Sequence, residues 1–393
     1  MNSRVTIKKG KAKPFWFGNP LVFSGAVDRL EGSPAAGDMI DVCDSDGRCI
    51  GWGAFNPHSD YTVRILALAD EQFTGRAVEA LVMLRLRAAI GLRTTLGLPS
   101  EQTDMYRVFN SEGDRLSGLT MDRFGDVLAV ASSAYWVERY RAEIEAAATS
   151  LLAPRAIVWL PMQSPLRQDG WELPKEPAAP APECDVTVRE LGLSYHVAVG
   201  KGQKTGFYCD QRDNRALVRS FARGRNVLDL YCYTGGFALN AAAGGARSVR
   251  AVDSSISALE SGKEHARANQ LDQVAFVNGD AFEILARETD ADFIILDPPN
   301  LARTRRDLHR AMTYSRAINQ AAFARLHPGG LLLTCSCSAA VTVDLLTEAV
   351  RDAAQAAQRR ITILKITHAG PDHPTLPAFP EGNYLTCLLV AVV

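Results

Sequence analysis

No apolar run in this 393-residue sequence approaches the ~20 residues that cross a bilayer, and no apolar stretch follows the basic start MNSRVTIKKGKAKPF. A cytoplasmic protein without a targeting signal or membrane partner is expected. Neither sign of charge is in excess, since 43 Lys and Arg stand against 44 Asp and Glu. That balance excludes the global basicity of non-specific nucleic-acid binders, so any RNA or DNA must be held by local patches. Cysteine is sparse. Eight in a chain this long, without framework spacing, argue against a disulfide scaffold and for a reducing compartment in which thiols stay available for chemistry. The full G-x-G-x-x-G of a dinucleotide site is also missing, which counts against a nicotinamide cofactor. One Cys-x-Cys occurs without a second Cys or His pair at ligand spacing, so no metal is expected.

What is present divides into three parts, as the length suggests. Residues 1–72 carry short alternating runs, LVFSG, MIDVCD and CIGWGAF, parted by Gly, Pro and Asp turns, and read as a small β-rich module. From Phe73 to Leu98 the apolar residues recur at helical spacing with arginines on the opposite face, which predicts an amphipathic connecting helix. Strands, a helix at VERYRAEIEAAATSLL and a strand at AIVWL complete an α+β domain over 73–185. The stretch 161–184, with ELPKEPAAPAPEC, is too rich in proline to continue a helix or a central strand and marks the last boundary. From 186 to 393 the texture becomes strand, Gly turn, helix, repeated. An α/β domain with a doubly wound, mostly parallel sheet follows, and in such sheets ligands bind at the carboxyl ends of the strands.

The polar motifs all fall at such ends. In VLDLYCYTGGFA (227–238) Asp229 closes a strand and a Gly pair opens a helix, a turn where a cofactor can approach the backbone. Asp253, at the end of the next strand, is placed either for the two hydroxyls of a ribose or for a helix cap. Asp280, in NGDAF, stands where a carboxylate can reach an adenine amino group. In ILDPPN (295–300) the two prolines stiffen an extended loop, so a flat base can lie against it while Asp297 meets its polar edge.

Taken together, KTGFYCDQRDNR (204–215), YCYTGG, DPPN, TCSCS and the tail DHPTLPAFPEGNYL (372–385) resemble the bacterial large-subunit ribosomal RNA cytosine-5 methyltransferases. LVFSGAVDRLEG looks like the start of their PUA domain and GLTMDRFGD like their middle domain, so the resemblance spans the chain. It implies a PUA-like β-barrel, a middle α+β domain and a Rossmann-like class I methyltransferase domain. The implied cofactor is S-adenosyl-L-methionine (SAM), and the implied partner is RNA, 23S rRNA or a large-subunit assembly particle; a homodimer is admitted. By similarity SAM lies against Tyr233, Thr234 and Gly235, with Asp229 beneath, Asp253 and Ser254 at the ribose, Asp280 and Ala281 at the adenine, and Gln211 with Arg212 closing over it. Asp297 borders the cofactor and faces the cytosine.

Carbon 5 of cytosine is a weak nucleophile until a thiolate adds to carbon 6, so the resemblance also implies covalent catalysis by a cysteine. Its Ser-Cys-Ser pattern falls on Ser336, Cys337 and Ser338 and selects Cys337; the Thr-Cys-Ser pattern of other cytosine methyltransferases selects Cys335. Alternation along a strand does not separate residues two apart. Asp297 would assist at ring nitrogen 3, which requires a carboxyl that holds a proton. The chain departs from the family at Asn300, commonly lysine there, and in the extra thiol Cys335. Enzymes of the same fold that act on uracil carbon 5 or an adenine amino group are the alternative, although no aromatic follows the prolines to stack an adenine. A non-catalytic RNA-binding assembly protein is the other. Lys8, Lys9, Lys11 and Lys13 with Phe15 and Trp16, and ARTRRDLHR (302–310), are candidate RNA contacts or solvated faces. Cys43 and Cys49 are expected to face the core, and Cys209 and Cys232 to serve packing.

Overall fold

The structure, a computed structural model, describes residues 3–71, 77–172, 184–302 and 305–393. The expected boundaries at 72/73 and in the proline-rich stretch fall on or beside residues outside this set. Two compact units emerge, one of residues 1–188, 197–209 and 371–382, the other of 189–196, 210–370 and 383–393. Among the described residues no helix is long and apolar enough to cross a membrane.

In the first unit a six-stranded sheet runs in the order Leu21–Phe23, Tyr61–Leu68, Cys49–Phe55, Met39–Cys43, Arg4–Ile7, Val27–Glu31. Its inner face buries Val5, Ile7, Val42, Ile50 and Val63, the alternate residues of each run. A four-stranded sheet, Ala156–Pro161, Val127–Ser132, Leu119–Phe124, Met105–Asn110, follows with two packed helices, Val78–Thr95 and Arg141–Leu152. One apolar cluster joins Trp52 and Leu66 of the first sheet to Leu81, Leu86 and Trp136.

Three expectations need correction here. The connecting helix does not keep all its arginines toward water: Arg93 is buried, and its guanidinium donates to both oxygens of Asp114 at 2.7 and 2.8 Å and to the carbonyls of Arg107 and Asp372. Pairing and hydrogen bonding are what make a buried cation tolerable. The helix read from VERYRAEIEAAATSLL breaks at Tyr140 into Tyr135–Arg139 and Arg141–Leu152. Beyond Pro161, a short helix at Gln163–Gln168 fits between the strand and the prolines.

The chain enters the second unit through a hairpin, Cys184–Glu190 and Leu193–Val199, whose two-residue turn puts Leu191 and Gly192 at φ of 52° and 79°. Helix α1 (Arg212–Phe221) then leads to a seven-stranded sheet of β1 (Asn226–Leu230), β2 (Ser248–Asp253), β3 (Val274–Asn278), β4 (Phe293–Leu296), β5 (Leu331–Ser336), β6 (Ile361–Thr367) and β7 (Thr386–Val392). The strand order is β3-β2-β1-β4-β5-β7-β6, parallel from β3 through β5, with β7 antiparallel to both neighbours. Helices α2 (Gly236–Ala243), α3 (Ile256–Ala268), α4 (Ala281–Arg287), α5 (Leu308–Arg325) and α6 (Val343–Ala356) connect the strands.

Alternate strand residues serve opposite faces. Leu228, Leu230, Ile294, Leu296 and Leu332 pack with Phe323 of α5 and Leu346 of α6; Val227, Phe293, Ile295 and Leu333 pack with Val218 of α1, Phe237 of α2 and Leu259 of α3. Each such side chain contributes about 1.5–3 kcal/mol. Double coverage explains why the central strands read as near-continuous apolar runs, and Asp229, Asp253 and Asp297 fall at or beside strand ends. The order reverses between β1 and β4, which is where a doubly wound sheet opens a crevice.

Candidate active site

The loop after β1 is held in an unusual backbone conformation. Tyr231, Tyr233 and Gly235 have φ of 65°, 50° and 84°, a region that only glycine enters without cost. Local bonds hold it there: Cys232 N–H donates to Val252 O at 3.0 Å, Gly235 N–H to Cys232 O at 2.8 Å, and Tyr233 N–H to Asp253 Oδ2 at 2.8 Å. The phenols of Tyr231 and Tyr314 bond each other. A Cβ at Gly235 would lie 2.9 Å from the Phe276 ring, so glycine is required there for space as well as for φ.

Beneath this turn Asp229 is fully buried. Its Oδ2 accepts from Ala238 N–H at 2.9 Å, while Oδ1 finds no hydrogen-bond partner among the described residues. Burial first, then the charges of Asp297 and Asp253, raise its carboxyl well above the ordinary carboxylate range. An unsatisfied buried acceptor amid carboxylates suits a ligand that brings positive charge and N–H donors. SAM, with its sulfonium and ammonium groups, meets that description.

The other predicted residues divide into two sets. Asp253 uses one lone pair of each oxygen, Oδ2 for Tyr233 N–H and Oδ1 for Ser255 N–H at 2.8 Å, and the remaining pairs can take two hydroxyls. The capping alternative for Asp253 falls instead to Ser255, whose hydroxyl accepts from Ala258 N–H. Gln211, buried, donates to Asp297 Oδ2 at 3.1 Å. Tyr233 and Asp253 are therefore bonded together, and so are Gln211 and Asp297. Asp280 instead caps α4, its Oδ1 accepting from Phe282 and Glu283 N–H, with Ala281 buried behind it. Ser254 is exposed and offers its carbonyl to Asn278. Arg212 is buried with its Nε on Asp213 at 3.0 Å.

On the other side of the switch point the DPPN loop folds back on itself. Asn300 Oδ1 accepts from Ala302 N–H at 3.0 Å, and Ala302 O accepts from the Ser338 hydroxyl at 2.6 Å. Between this loop and the end of β5 lies a cleft lined by Pro298, Pro299, Asn300, Tyr314 and Cys337. Burial separates the two thiols that alternation could not. Cys335 lies inside β5 opposite Cys387 of β7, 2 % exposed, and burial pushes its thiol well above the usual range. Cys337 stands past the strand end, half-buried, its thiol toward Pro298 O at 3.8 Å. Two residues of this site, Asn214 and Tyr314, escaped sequence reasoning, and Ser338 was named there only as part of the Ser-Cys-Ser pattern; the fold reveals the partners of all three.

Elsewhere, Phe15 is buried in the first sheet's core, whereas Trp16 and Phe17 are 41 % and 71 % exposed. The aromatic pair at the basic N-terminal edge is therefore Trp16 and Phe17. Cys49 is exposed, although its register partner Cys43 is buried. Cys209 and Cys232 are buried, as packing requires. Arg303 of the alternative basic segment lies outside the described residues, as does Thr304; Arg306 and Arg310 are exposed.

Comparison with known proteins adds sequence evidence. Residues 175–376 match the family model described as S-adenosylmethionine-dependent methyltransferase, and residues 5–68 match a PUA-like domain. The ribosomal RNA large subunit methyltransferase I of Erwinia tasmaniensis is 36% identical over 394 residues, 98% of each chain. The protein of that name from Shewanella denitrificans is 36% identical over the full length of both. A methyltransferase structure solved with SAH superposes with a TM-score of 0.81 over 99% of this chain and 100% of that one, at 21% identity, a likeness of fold.

Proposed function

Because this chain belongs to the S-adenosylmethionine-dependent methyltransferases, we propose that it methylates carbon 5 of a cytosine in large-subunit ribosomal RNA, in the cytoplasm, through a covalent adduct on Cys337. The substrate class follows the relatives named for that RNA. One observation carries the mechanism: both thiols at the end of β5 border the cleft beside the Asp-Pro-Pro loop, but Cys337, past the strand end, is half-accessible, while Cys335 within the strand is 2 % exposed.

SAM supplies, when bound, a methyl group on an electrophilic sulfonium. The chain's own residues hold and orient it. Asp229 offers its free oxygen to the ammonium, the Tyr233-Thr234-Gly235 turn lets the ligand approach the backbone, and Asp253 with Ser254 serves the ribose. Asp280 has its Oδ1 engaged in the cap and its second oxygen for the adenine amino group, beside Ala281; Gln211 and Arg212 border the site. Cys337, as thiolate, forms an S–C6 bond, and the displaced double-bond electrons make carbon 5 a nucleophile that takes the methyl. Loss of the carbon 5 proton to a base restores the C5–C6 double bond and breaks S–C6, releasing the thiolate. Asp297 holds the base by its nitrogen edge. A cytosine within a helix must first be flipped out.

The test uses unmodified ribosomal RNA tritiated at cytosine carbon 5, with SAM and wild-type, Cys335→Ala or Cys337→Ala protein. Release is expected from wild type and Cys335→Ala and not from Cys337→Ala. Release lost only in Cys335→Ala moves the nucleophile; none from wild type, on naked RNA and on subunits alike, sinks the cytosine reading.

A further inference from the structure

We propose that Asn300 is a catalytic residue, whose side-chain amide donates to oxygen 2 of the target cytosine and stabilises the negative charge that thiolate addition creates there. The inference rests on the reading that the base lies in the cleft between the Asp-Pro-Pro loop and Cys337.

The direction of this amide follows from its partner. A backbone N–H can only donate, and that of Ala302 lies 3.0 Å from Asn300 Oδ1, so the oxygen is turned into the loop. Its nitrogen, on the other arm of the planar group, is turned out of it. Asn300 is exposed and lines the cleft that holds Cys337, so Nδ2 brings two N–H donors to a surface RNA can reach. The rest of the loop has little to offer. Pro298 and Pro299 carry no backbone N–H, and that of Asp297 points to Leu230 O, so the first donor the chain presents after β4 is the Asn300 amide. Other polar side chains of the cleft are engaged within the protein. The Tyr314 hydroxyl bonds that of Tyr231, the Ser338 hydroxyl donates to Ala302 O at 2.6 Å, and the Ser315 hydroxyl accepts from Asn319 Nδ2 at 3.4 Å.

The proposed reaction creates a need for such a donor. As the Cys337 sulfur bonds carbon 6, the C5–C6 π pair becomes a C4–C5 double bond and the C4–N3 π pair moves onto nitrogen 3, from which it spreads through carbon 2 to oxygen 2. Carbon 5 then takes the methyl group, the C4–N3 double bond re-forms, and the charge is gone. The amino group of cytosine is itself a donor and gains nothing from an N–H. Oxygen 2 accepts, and accepts more strongly while it is charged. A donor already held in place for charge that appears only during reaction lowers the barrier, and removing one such donor costs about 10²–10³ in rate.

The two arms of the amide have separate tasks, and two substitutions part them. Asn300→Asp keeps an oxygen for Ala302 N–H and loses the donors; Asn300→Lys keeps a donor on a flexible arm and loses the oxygen. The measurement is single-turnover tritium release from ribosomal RNA labelled at cytosine carbon 5, at saturating RNA and SAM, with RNA and S-adenosylhomocysteine affinities determined alongside. Asn300→Asp should lose about a hundredfold or more of the wild-type rate constant, the scale of one donor to a developing anion, with both affinities little changed. Asn300→Lys should lose less, about tenfold at most, because a donor remains. Since the residue is exposed, neither change disturbs the core. Wild-type release by Asn300→Asp overturns the proposal. So does a larger loss in Asn300→Lys than in Asn300→Asp, which would leave Asn300 only its bond to the loop, and so does a fall that weaker RNA or cofactor binding accounts for. If wild type releases no tritium from cytosine, or Cys337→Ala still does, the proposed reaction has failed, and the role of Asn300 falls with it.

Discussion

Asp229 is the costliest side chain of the proposed cofactor site. Fully buried, with one oxygen unsatisfied and two carboxylates near, it is costly to ionise, so its carboxyl titrates above the ordinary range. The sign for stability follows. An acid whose folded value is raised supports the fold fully below its unfolded value, and that support is lost as pH climbs through the raised one. Asp229→Asn keeps the shape and the acceptor for Ala238 N–H but removes the charge. In thermal unfolding the variant should match or exceed wild type near neutral pH, and its advantage should vanish in acid. Calorimetry should at the same time show SAM affinity lowered about tenfold, the usual scale for losing a bond to a charged group. Higher stability without weaker binding would remove Asp229 from the proposed cofactor site. Sequence placed this carboxylate at its strand end, but its missing partner is a fact of three dimensions. The same holds for Cys335 and Cys337: spacing named both, and only burial separates them.

At the scale of elements the site depends on one contact between a turn and a strand. Gly235 at φ +84° presses on Phe276 of β3, so Gly235→Ala adds backbone strain and a 2.9 Å contact together. A loss of about 1–3 kcal/mol in chemical denaturation is expected, with weaker SAH binding. Phe276→Leu in the same chain should recover the steric part and leave the strain, and full recovery would show that φ is unimportant here. The five parallel strands were legible because local signals suffice for them: apolar runs and glycine turns. The cap at Asp280 was not read from the sequence, since the capping alternative was given to Asp253 and Asp280 was assigned to the adenine. Nor was Arg93. Its partners, Asp114 and the carbonyl of Asp372, lie 21 and 279 residues away, and helical periodicity carries no record of so distant a pairing. Asn214 was hidden for the same reason, since its bonds to Thr367 and His368 close over more than 150 residues.

The whole molecule is nearly neutral, so RNA must find its cations in a local patch, and the chain gathers one at its start. The first twenty-seven residues contain Arg4, Lys8, Lys9, Lys11 and Lys13 and no acidic residue. All four lysines are exposed, Lys13 sits 5.9 Å from the Phe17 ring centroid, and Arg48 sits 5.8 Å from that of Trp16. Exposed rings flanked by cations are the elements of a stacking platform for unpaired bases, and each stacked base is worth about 1–3 kcal/mol. The reading from sequence set these lysines beside Phe15 and Trp16; the lysines and Trp16 are exposed but Phe15 is not, because a tetrapeptide of helix decides which ring turns inward. Trp16→Ala with Phe17→Ala should raise KM for ribosomal RNA about tenfold, on that stacking scale, and leave kcat and cofactor affinity as they were. Lys9→Ala with Lys11→Ala should weaken binding at low salt and flatten its dependence on salt, since fewer counterions are released. Lowered kcat in the aromatic variant would mean that these rings help place the reacting base and do more than hold RNA, and an unchanged KM would move the RNA interface to another part of the molecule, with exposed Arg306 and Arg310 the next residues to change.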